Sequence, residues 1–289
     1  MERVVSVEEV RHALQHSRLE GRTVGFVPTM GALHEGHLSL VRASRRHAEV
    51  TVVSIFVNPM QFGPGEDYDD YPRDLEADAA LLEAEDADIL FQPTVPVMYP
   101  EGADTRVDPG PQGSLWCGAS RPGHFAGVAT VVTKLFNIVE PDIAFFGEKD
   151  YQQLRIIERV ARDLVMRVRV VGCPIVREAD GIAMSTRNRY LTPEQRSHAS
   201  VLHGALSAAH DAACAGETDA AALTRSIVRT IEAEDGVELE YAAVVDAGTL
   251  ACVSDIEHPA RALVAARVGR ARLIDNVSIL PPGIREEHR

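Results

Sequence analysis

The sequence predicts an α/β protein: a Rossmann-like, doubly wound parallel sheet in an N-terminal domain of residues 1–175, followed by a smaller α+β domain of residues 176–289. Three observations carry this. Short apolar segments alternate with amphipathic ones at the spacing of βαβ units. Residues 50–57 (VTVVSIFV) form a nearly continuous β-branched run, of the kind buried on both faces in a parallel sheet. After about Pro174 the composition turns to Ala-rich helical stretches and then to β-rich ones.

Taken in order, Ser6 with Glu9 three residues on reads as a capping box opening a helix over 7–19, which Gly21 closes. A short strand over 23–27 is expected to end at Pro28. A helix over 37–48 and the buried strand 50–57 follow. Residues 71–85, rich in Ala, Leu and acids, predict a helix, 87–91 a strand, and 128–139 an almost wholly apolar helix suited to a core or a dimer contact. A strand over 142–146, a helix over 151–164 with Leu154, Ile157 and Val160 on one face, and a strand over 166–171 complete the first domain. Beyond it, 193–215 and 219–233 read as helical, and 239–246, 262–268 and 272–279 as strands. Residues 58–72 and 93–123 are long loops, which in compact domains are more often functional than accidental.

Composition narrows the function. The chain has 289 residues, 45% hydrophobic and 25% charged, which is globular and neither disordered nor fibrous. Its 29 Lys+Arg against 43 Asp+Glu leave a net charge of −14, which argues against a nucleic-acid or anionic-membrane partner. An anionic ligand would have to be held by a few local cations and backbone N–H groups. The cysteines, Cys117, Cys173, Cys214 and Cys252, form no CxxC pair or secreted-type framework, so a reducing, cytoplasmic compartment is expected. No run of ~18 apolar residues suggests a membrane span, and the N-terminus reads as helical rather than as an export signal.

In an open parallel sheet, ligands sit beyond the carboxyl ends of the strands. After strand 23–27 comes PTMGALHEGH, after 50–57 comes Asn58-Pro59-Met60-Gln61, and after 142–146 comes Gly147-Glu148-Lys149-Asp150 with Gln153 one turn on. His34 and His37, three apart at a helix start, share a face. Gly36 between them leaves the backbone open, and the helix N-terminus favours an anion. This is a triphosphate cradle; the spacing is one residue short of HExxH, so a zincin site is excluded. Met184-Ser185-Thr186-Arg187-Asn188, after the Asp180-Gly181 turn, adds hydroxyls and a fixed cation for the β/γ end. Read singly, the two histidines, Lys149, Gln61 and Gln153 are each also explained as solvated surface groups, the segment 184–188 as a polar interdomain turn, and the acidic run 66–70 as a solvated loop face with a lid as the minority reading. Their gathering at successive strand ends is what favours a site.

Together PTMGALHEGH, FVNPMQFGPGEDYDDYPR, RPGHFAGVATVVTKLFNIVEPDIAFFGEKDYQQ and MSTRN closely resemble the pantoate-beta-alanine ligase family, within the superfamily of nucleotidylyltransferases and class I aminoacyl-tRNA synthetases. His-Glu-Gly-His resembles its HIGH motif and Met-Ser-Thr-Arg its KMSKS-like loop. The resemblance implies an AMP-forming ligase of pantothenate biosynthesis that condenses (R)-pantoate with beta-alanine through a pantoyl adenylate, releasing AMP and pyrophosphate. It assigns ATP to Met30, Gly31, Ala32, Leu33, His34, Glu35, Gly36 and His37, with His37 as proton donor. It also assigns ATP to Gly147, Glu148, Lys149 and Asp150 of the first domain, and to Val176, Met184, Ser185, Thr186 and Arg187 of the second, which closes over the nucleotide. Gln61, Gln153 and Asn58 fall to pantoate, and His34, His37, Lys149 and Arg187 to catalysis. Mg²⁺ is implied with ATP as co-substrate, with no tightly bound organic cofactor and a homodimeric state.

Two departures stand out: Thr186 where relatives commonly carry Ser, and Ala77 at or near a metal-contacting carboxylate of some relatives. Asp78 or Asp74 could substitute, but no protein metal ligand is assigned. Two other readings compete. A plain nucleotidylyltransferase would want cations for a second phosphate where this chain offers glutamines, and a regulatory nucleotide-binding module would not need His34, His37, Lys149 and Arg187 together. A tRNA-charging role is opposed by the net charge.

Overall fold

Parallel pairing organises the first half of the chain. The structure, a computed structural model, describes residues 1–281. In chain order it contains β1 (Glu2–Val4), α1 (Val7–Leu19), β2 (Val24–Thr29), α2 (Glu35–His47), β3 (Val50–Ile55), α3 (Leu75–Ala84), β4 (Ile89–Phe91), the short α4 (Val95–Met98) and α5 (Cys117–Ser120), α6 (His124–Val139), β5 (Ile143–Gly147), α7 (Tyr151–Asp163) and β6 (Arg169–Cys173). These strands form a six-stranded parallel sheet in the order β1-β4-β3-β2-β5-β6. From β2 the chain builds outward through β3 and β4 on one side and through β5 and β6 on the other. The order therefore reverses between β2 and β5, and ligands are expected beyond the carboxyl ends of those strands.

The chain divides into two compact units. The first comprises Met1–Glu148 and Gln152–Pro174, the second Lys149–Tyr151 and the chain from Ile175 onward. Lys149–Tyr151, expected in the first domain, thus falls in the second unit. In the first unit, Val27, Leu40, Val41, Val53, Leu82, Leu90 and Phe145 pack as one core cluster. Helix α6 is buried on most of its surface within this unit, including Phe125, Val128, Val132, Phe136 and Val139. The second unit contains α8 (Pro193–Ala199), α9 (Val201–Cys214), α10 (Ala220–Glu232), β7 (Val237–Asp246), β8 (Ala260–Val268) and β9 (Ala271–Ile279). The strands form an antiparallel sheet β7-β8-β9 whose Val244, Val264 and Leu273 pack with Leu202, Leu206 and Ile227 of the helices.

Element boundaries shift where local chemistry intervenes. Pro28 does not end β2, which continues to Thr29: at Pro28 the strand pairs only with β3, so no ladder bond on the β5 side calls for the missing N–H. Helix α3 starts at Leu75 rather than 71, because Asp74 caps it by accepting the Ala77 N–H at 3.1 Å and Pro72 disfavours helix before it. Strand β6 begins at Arg169, since Val165 at φ 53 and the Met166 N–H bond to Ala161 O still close α7. The capping box of α1 is formed, with Ser6 Oγ accepting from Glu9 N at 3.2 Å and Glu9 Oε2 from Ser6 N at 3.0 Å.

Candidate active site

The turn that leaves β2 sets the first group. His34 is the N-cap of α2, and its Nδ1 accepts the Gly36 N–H at 3.2 Å, while His37 Nδ1 accepts the His34 N–H at 3.3 Å. The two rings lie 4.1 Å apart between centroids. A backbone N–H can reach Nδ1 only where that nitrogen carries a lone pair, so each ring has its proton on Nε2. Two imidazole Nε2–H donors thus accompany the N-terminus of a thirteen-residue helix, a constellation suited to phosphate oxygens. Glu35 does not add an unpaired carboxylate, because its side chain is bonded to Arg42, which holds it below the ordinary carboxylate range.

The second group follows β3. Asn58 and Gln61 are buried, and their amides form a directed chain. Tyr99 Oη donates to Asn58 Oδ1 at 2.8 Å, Asn58 Nδ2 donates to Gln61 Oε1 at 3.1 Å and to Gly127 O at 3.2 Å, and Gln61 Nε2 donates to Met30 Sδ at 3.0 Å. Each donor orients the next amide, so the Gln61 amide nitrogen is turned toward the cradle residue Met30. Burial pushes the Tyr99 phenol up to about 12, against the opposing charge of Arg106, so it stays a donor at any working pH. Helix α6 can approach this turn because residue 127 is glycine: a Cβ there would stand 2.2 Å from Met60 O.

The Gln61 backbone is held as well. Its carbonyl accepts from His124 Nδ1 at 2.7 Å and Arg121 Nη2 at 3.2 Å, and Arg121 forms a bidentate pair with Glu66, both contacts 2.6 Å. Burial would raise the Glu66 carboxyl, but the Arg121 guanidinium, with help from the Gly63 N–H and His124, holds it below its ordinary value. Tyr71 is buried and packs edge-on to Phe62, 6.1 Å between centroids. The acidic loop is therefore pinned at Glu66 and at Tyr71. Gln153, half-buried at the start of α7, makes no side-chain hydrogen bond among the described residues.

The second unit carries the remaining candidates. The Lys149 carbonyl accepts from Asn276 Nδ2 at 3.0 Å, Asn276 Oδ1 accepts from Arg261 Nε at 2.6 Å, and the Arg261 guanidinium stacks over Tyr151, 4.3 Å from the ring centroid. Tyr151 Oη donates to Ala247 O at 2.9 Å. These contacts are what tie Lys149–Tyr151 to the second unit. Lys149 Nζ lies 3.4 Å from Asp150 Oδ1. Met184 N donates to Val176 O at 2.9 Å, joining two predicted nucleotide residues, and Ser185 Oγ caps the following turn by accepting from Arg187 N at 3.3 Å. Thr186 is buried, and Asn188 braces the loop by donating to Glu178 Oε1 and Ala183 O.

The structure thus links Met30, of the turn running to His37, to Gln61 and Asn58 in the first unit, which also holds Gly147, Glu148 and Gln153; Lys149, Asp150, Val176 and Met184 to Arg187 fall in the second, where Val176 and Met184 are bonded to each other. Sequence reasoning missed Tyr99, His124, Arg121, Arg261 and Asn276. His124 and Arg121 lie inside the RPGHF motif, where nothing local marks a role, and the others act only through long-range contacts. Among the described residues no group of three or more His, Cys, Asp or Glu stands close enough to hold a metal ion, and no helix is long and apolar enough to cross a membrane.

Comparison with known proteins gives a consistent result. Residues 2–278 match the family model described as Pantoate-beta-alanine ligase. A relative named pantothenate synthetase, from Thermotoga neapolitana, is 51% identical over 273 residues, spanning 94% of this chain and 98% of that protein. The crystal structure of pantothenate synthetase from Thermus thermophilus matches with a TM-score of 0.92 at 51% identity, over 97% of this chain and 100% of that one. A pantoate-beta-alanine ligase from Francisella tularensis, crystallised with beta-gamma ATP and beta-alanine, matches with a TM-score of 0.77 at 33% identity, over 96% and 97% of the two chains.

Proposed function

The chain belongs to the pantoate-beta-alanine ligase family, and from that premise we propose that it joins pantoate to beta-alanine through a pantoyl adenylate formed at the cradle between β2 and α2. The ATP-dependent condensation is the family's activity and this chain's. The adenylate route follows from chemistry: a carboxylate does not acylate an amine unaided. A pantoate carboxylate oxygen attacks the α-phosphorus of ATP, the bond from that phosphorus to the bridging oxygen breaks, and pyrophosphate leaves. The neutral amine of beta-alanine then attacks the acyl carbon, the bond to the phosphate oxygen breaks, AMP departs and the amine loses its proton.

The observation that carries this reading is the pair of imidazoles with Nε2–H donors at a helix N-terminus, next to an oriented chain of buried neutral amides. The imidazoles suit the charge that develops on phosphoryl oxygens. The amides of Gln61 and Gln153 suit hydroxyls and a carboxylate without adding charge, while Asn58, its own amide engaged by Gln61, Gly127, Met60 and Tyr99, orients Gln61. We assign His37 an Nε2–H hydrogen bond to the oxygens of the leaving pyrophosphate: a ring whose Nδ1 accepts an N–H is neutral and keeps its Nε2 proton, so it stabilises charge and does not transfer the proton that the resemblance implies. Lys149 and Arg187 are assigned to the triphosphate, with Met184 to Arg187 as the loop that would close over the nucleotide. Mg²⁺ would enter with ATP as part of the substrate, neutralising phosphate charge.

The four cysteines, two buried and two exposed, form no disulfide and suit a reducing compartment, and we place the enzyme in the cytoplasm as a homodimer on the strength of the family resemblance. Pantoate labelled with ¹⁸O in its carboxylate tests the route. One label should appear in the phosphate of AMP; label in inorganic phosphate, with ADP as the other product, would point to an acyl phosphate instead.

A further inference from the structure

We propose that Asp78 is a positioning residue for the adenylation step, a buried carboxylate that fixes the backbone of the turn aiming His34 and His37; this rests on the reading of that turn as the ATP cradle. Asp78 lies in the first turn of α3 and is only 3% exposed, a rare place for a carboxylate without strong partners. Its Oδ2 accepts the Ala32 N–H at 2.8 Å and its Oδ1 accepts the Leu33 N–H at 2.7 Å, lengths typical of charge-assisted bonds. Each carboxylate oxygen serves one of two successive amides.

Those amides belong to an unusual stretch of backbone. Gly31 sits at φ +85 and Ala32 at φ +51, so two consecutive residues occupy the left-handed region, one of them with a side chain that disfavours it. A side chain at residue 31 would place its Cβ 2.9 Å from Asp78 Oδ2 and 2.9 Å from Ile55 Cγ2. Successive N–H groups in such a conformation form a concavity for an anion, and here the anion is the protein's own carboxylate. Leu33 is followed directly by His34, the N-cap of α2, so the held amides lead straight into the first imidazole. The amides of Ala32 and Leu33, assigned to ATP by the resemblance, hold this turn in place. Asp78 thereby sets the direction in which both imidazoles point, with each of its carboxylate oxygens engaged by a backbone amide.

Asp78→Asn tests this with little change in volume. An amide can offer its oxygen to only one of the two N–H groups, so the turn should loosen while the helix stays. The expected result is a pantoate-dependent pyrophosphate–ATP exchange rate lowered on the order of 10–100-fold, with the pantoate KM nearly unchanged. Asp74→Asn removes the same charge from the same helix and keeps its cap, and should leave the rate unchanged. An Asp78→Asn enzyme exchanging at the wild-type rate, or binding ATP more tightly with no loss of rate, would overturn the proposal. So would a loss that raised Mg²⁺ restores, which would make Asp78 a metal contact. Should the variant fail to fold, hydrogen exchange on the wild-type protein decides: the Ala32 and Leu33 amides should be among the slowest in the loop, and rapid exchange would contradict the hold. Absence of exchange activity in the wild-type enzyme would instead remove the cradle reading, leaving the amide protection as the separate test of Asp78.

Discussion

At His34 and His37 two ordinary backbone amides decide which nitrogen of each ring can act. Because Nδ1 is occupied as an acceptor, the chemistry falls to Nε2. Replacing His37 with Ala should lower kcat for adenylation by at least ~10²-fold, the scale of losing one preorganised donor. Gln, whose amide nitrogen can reach the Nε2 position, should retain more activity than Asn, whose nitrogen stops near Nδ1. Steady-state kinetics of the three variants checks this, and the reverse order would assign the wrong tautomer. For the amide chain, Tyr99→Phe removes the donor that orients Asn58 and should weaken pantoate use by about 0.5–1.5 kcal/mol with ATP use unchanged. Equal losses for both substrates would make Tyr99 a structural residue. The histidines, Gln61 and Asn58 are legible in the sequence because they follow strand ends, where the fold class says to look. Tyr99 is not: it lies in a loop forty-one residues from Asn58 and nothing local marks it.

The elements show where sequence pattern is strong and where it yields. Helix α1 and the alternation of strand and helix follow from capping and periodicity, both local signals. Strand β1, three residues long, escapes such a reading because its pairing with β4 is set by register and not by composition. The approach of α6 to the Asn58–Gln61 turn depends on Gly127, and Gly127→Ala should cost about 1–3 kcal/mol, since the new methyl meets backbone rather than a yielding side chain. Chemical denaturation measures it; a neutral outcome would mean the helix moves freely. The acidic loop reads from sequence mainly as solvated, yet Glu66 is paired with Arg121 at two 2.6 Å contacts. With its carboxyl held below the ordinary value, the native state binds that proton less readily than the unfolded one. The pair's contribution is therefore complete above about pH 4.5 and is lost as pH falls through the lowered value. The difference in Tm between wild type and Glu66→Gln should be full at neutral pH and shrink below pH 4.5. A difference that stays constant across that range would assign the stabilisation to packing.

For the whole molecule, a net charge of −14 leaves anionic substrates to be held by local donors, a role the proposed reading gives to groups after β2, β3 and β5 and on the Met184–Arg187 loop. The segment Lys149–Tyr151 illustrates the limit of reading such a layout in advance. By sequence it is a short link between β5 and α7, but Asn276, Arg261 and Ala247 hold it, and no local pattern announces partners about a hundred or more residues away. The central claim is that adenylation of pantoate is a complete half-reaction at the cradle, independent of the amine. Exchange of labelled pyrophosphate into ATP, measured with pantoate present and beta-alanine absent, tests it most directly. Label should enter ATP at a rate that depends on pantoate; exchange that requires beta-alanine, or proceeds equally without pantoate, would contradict it.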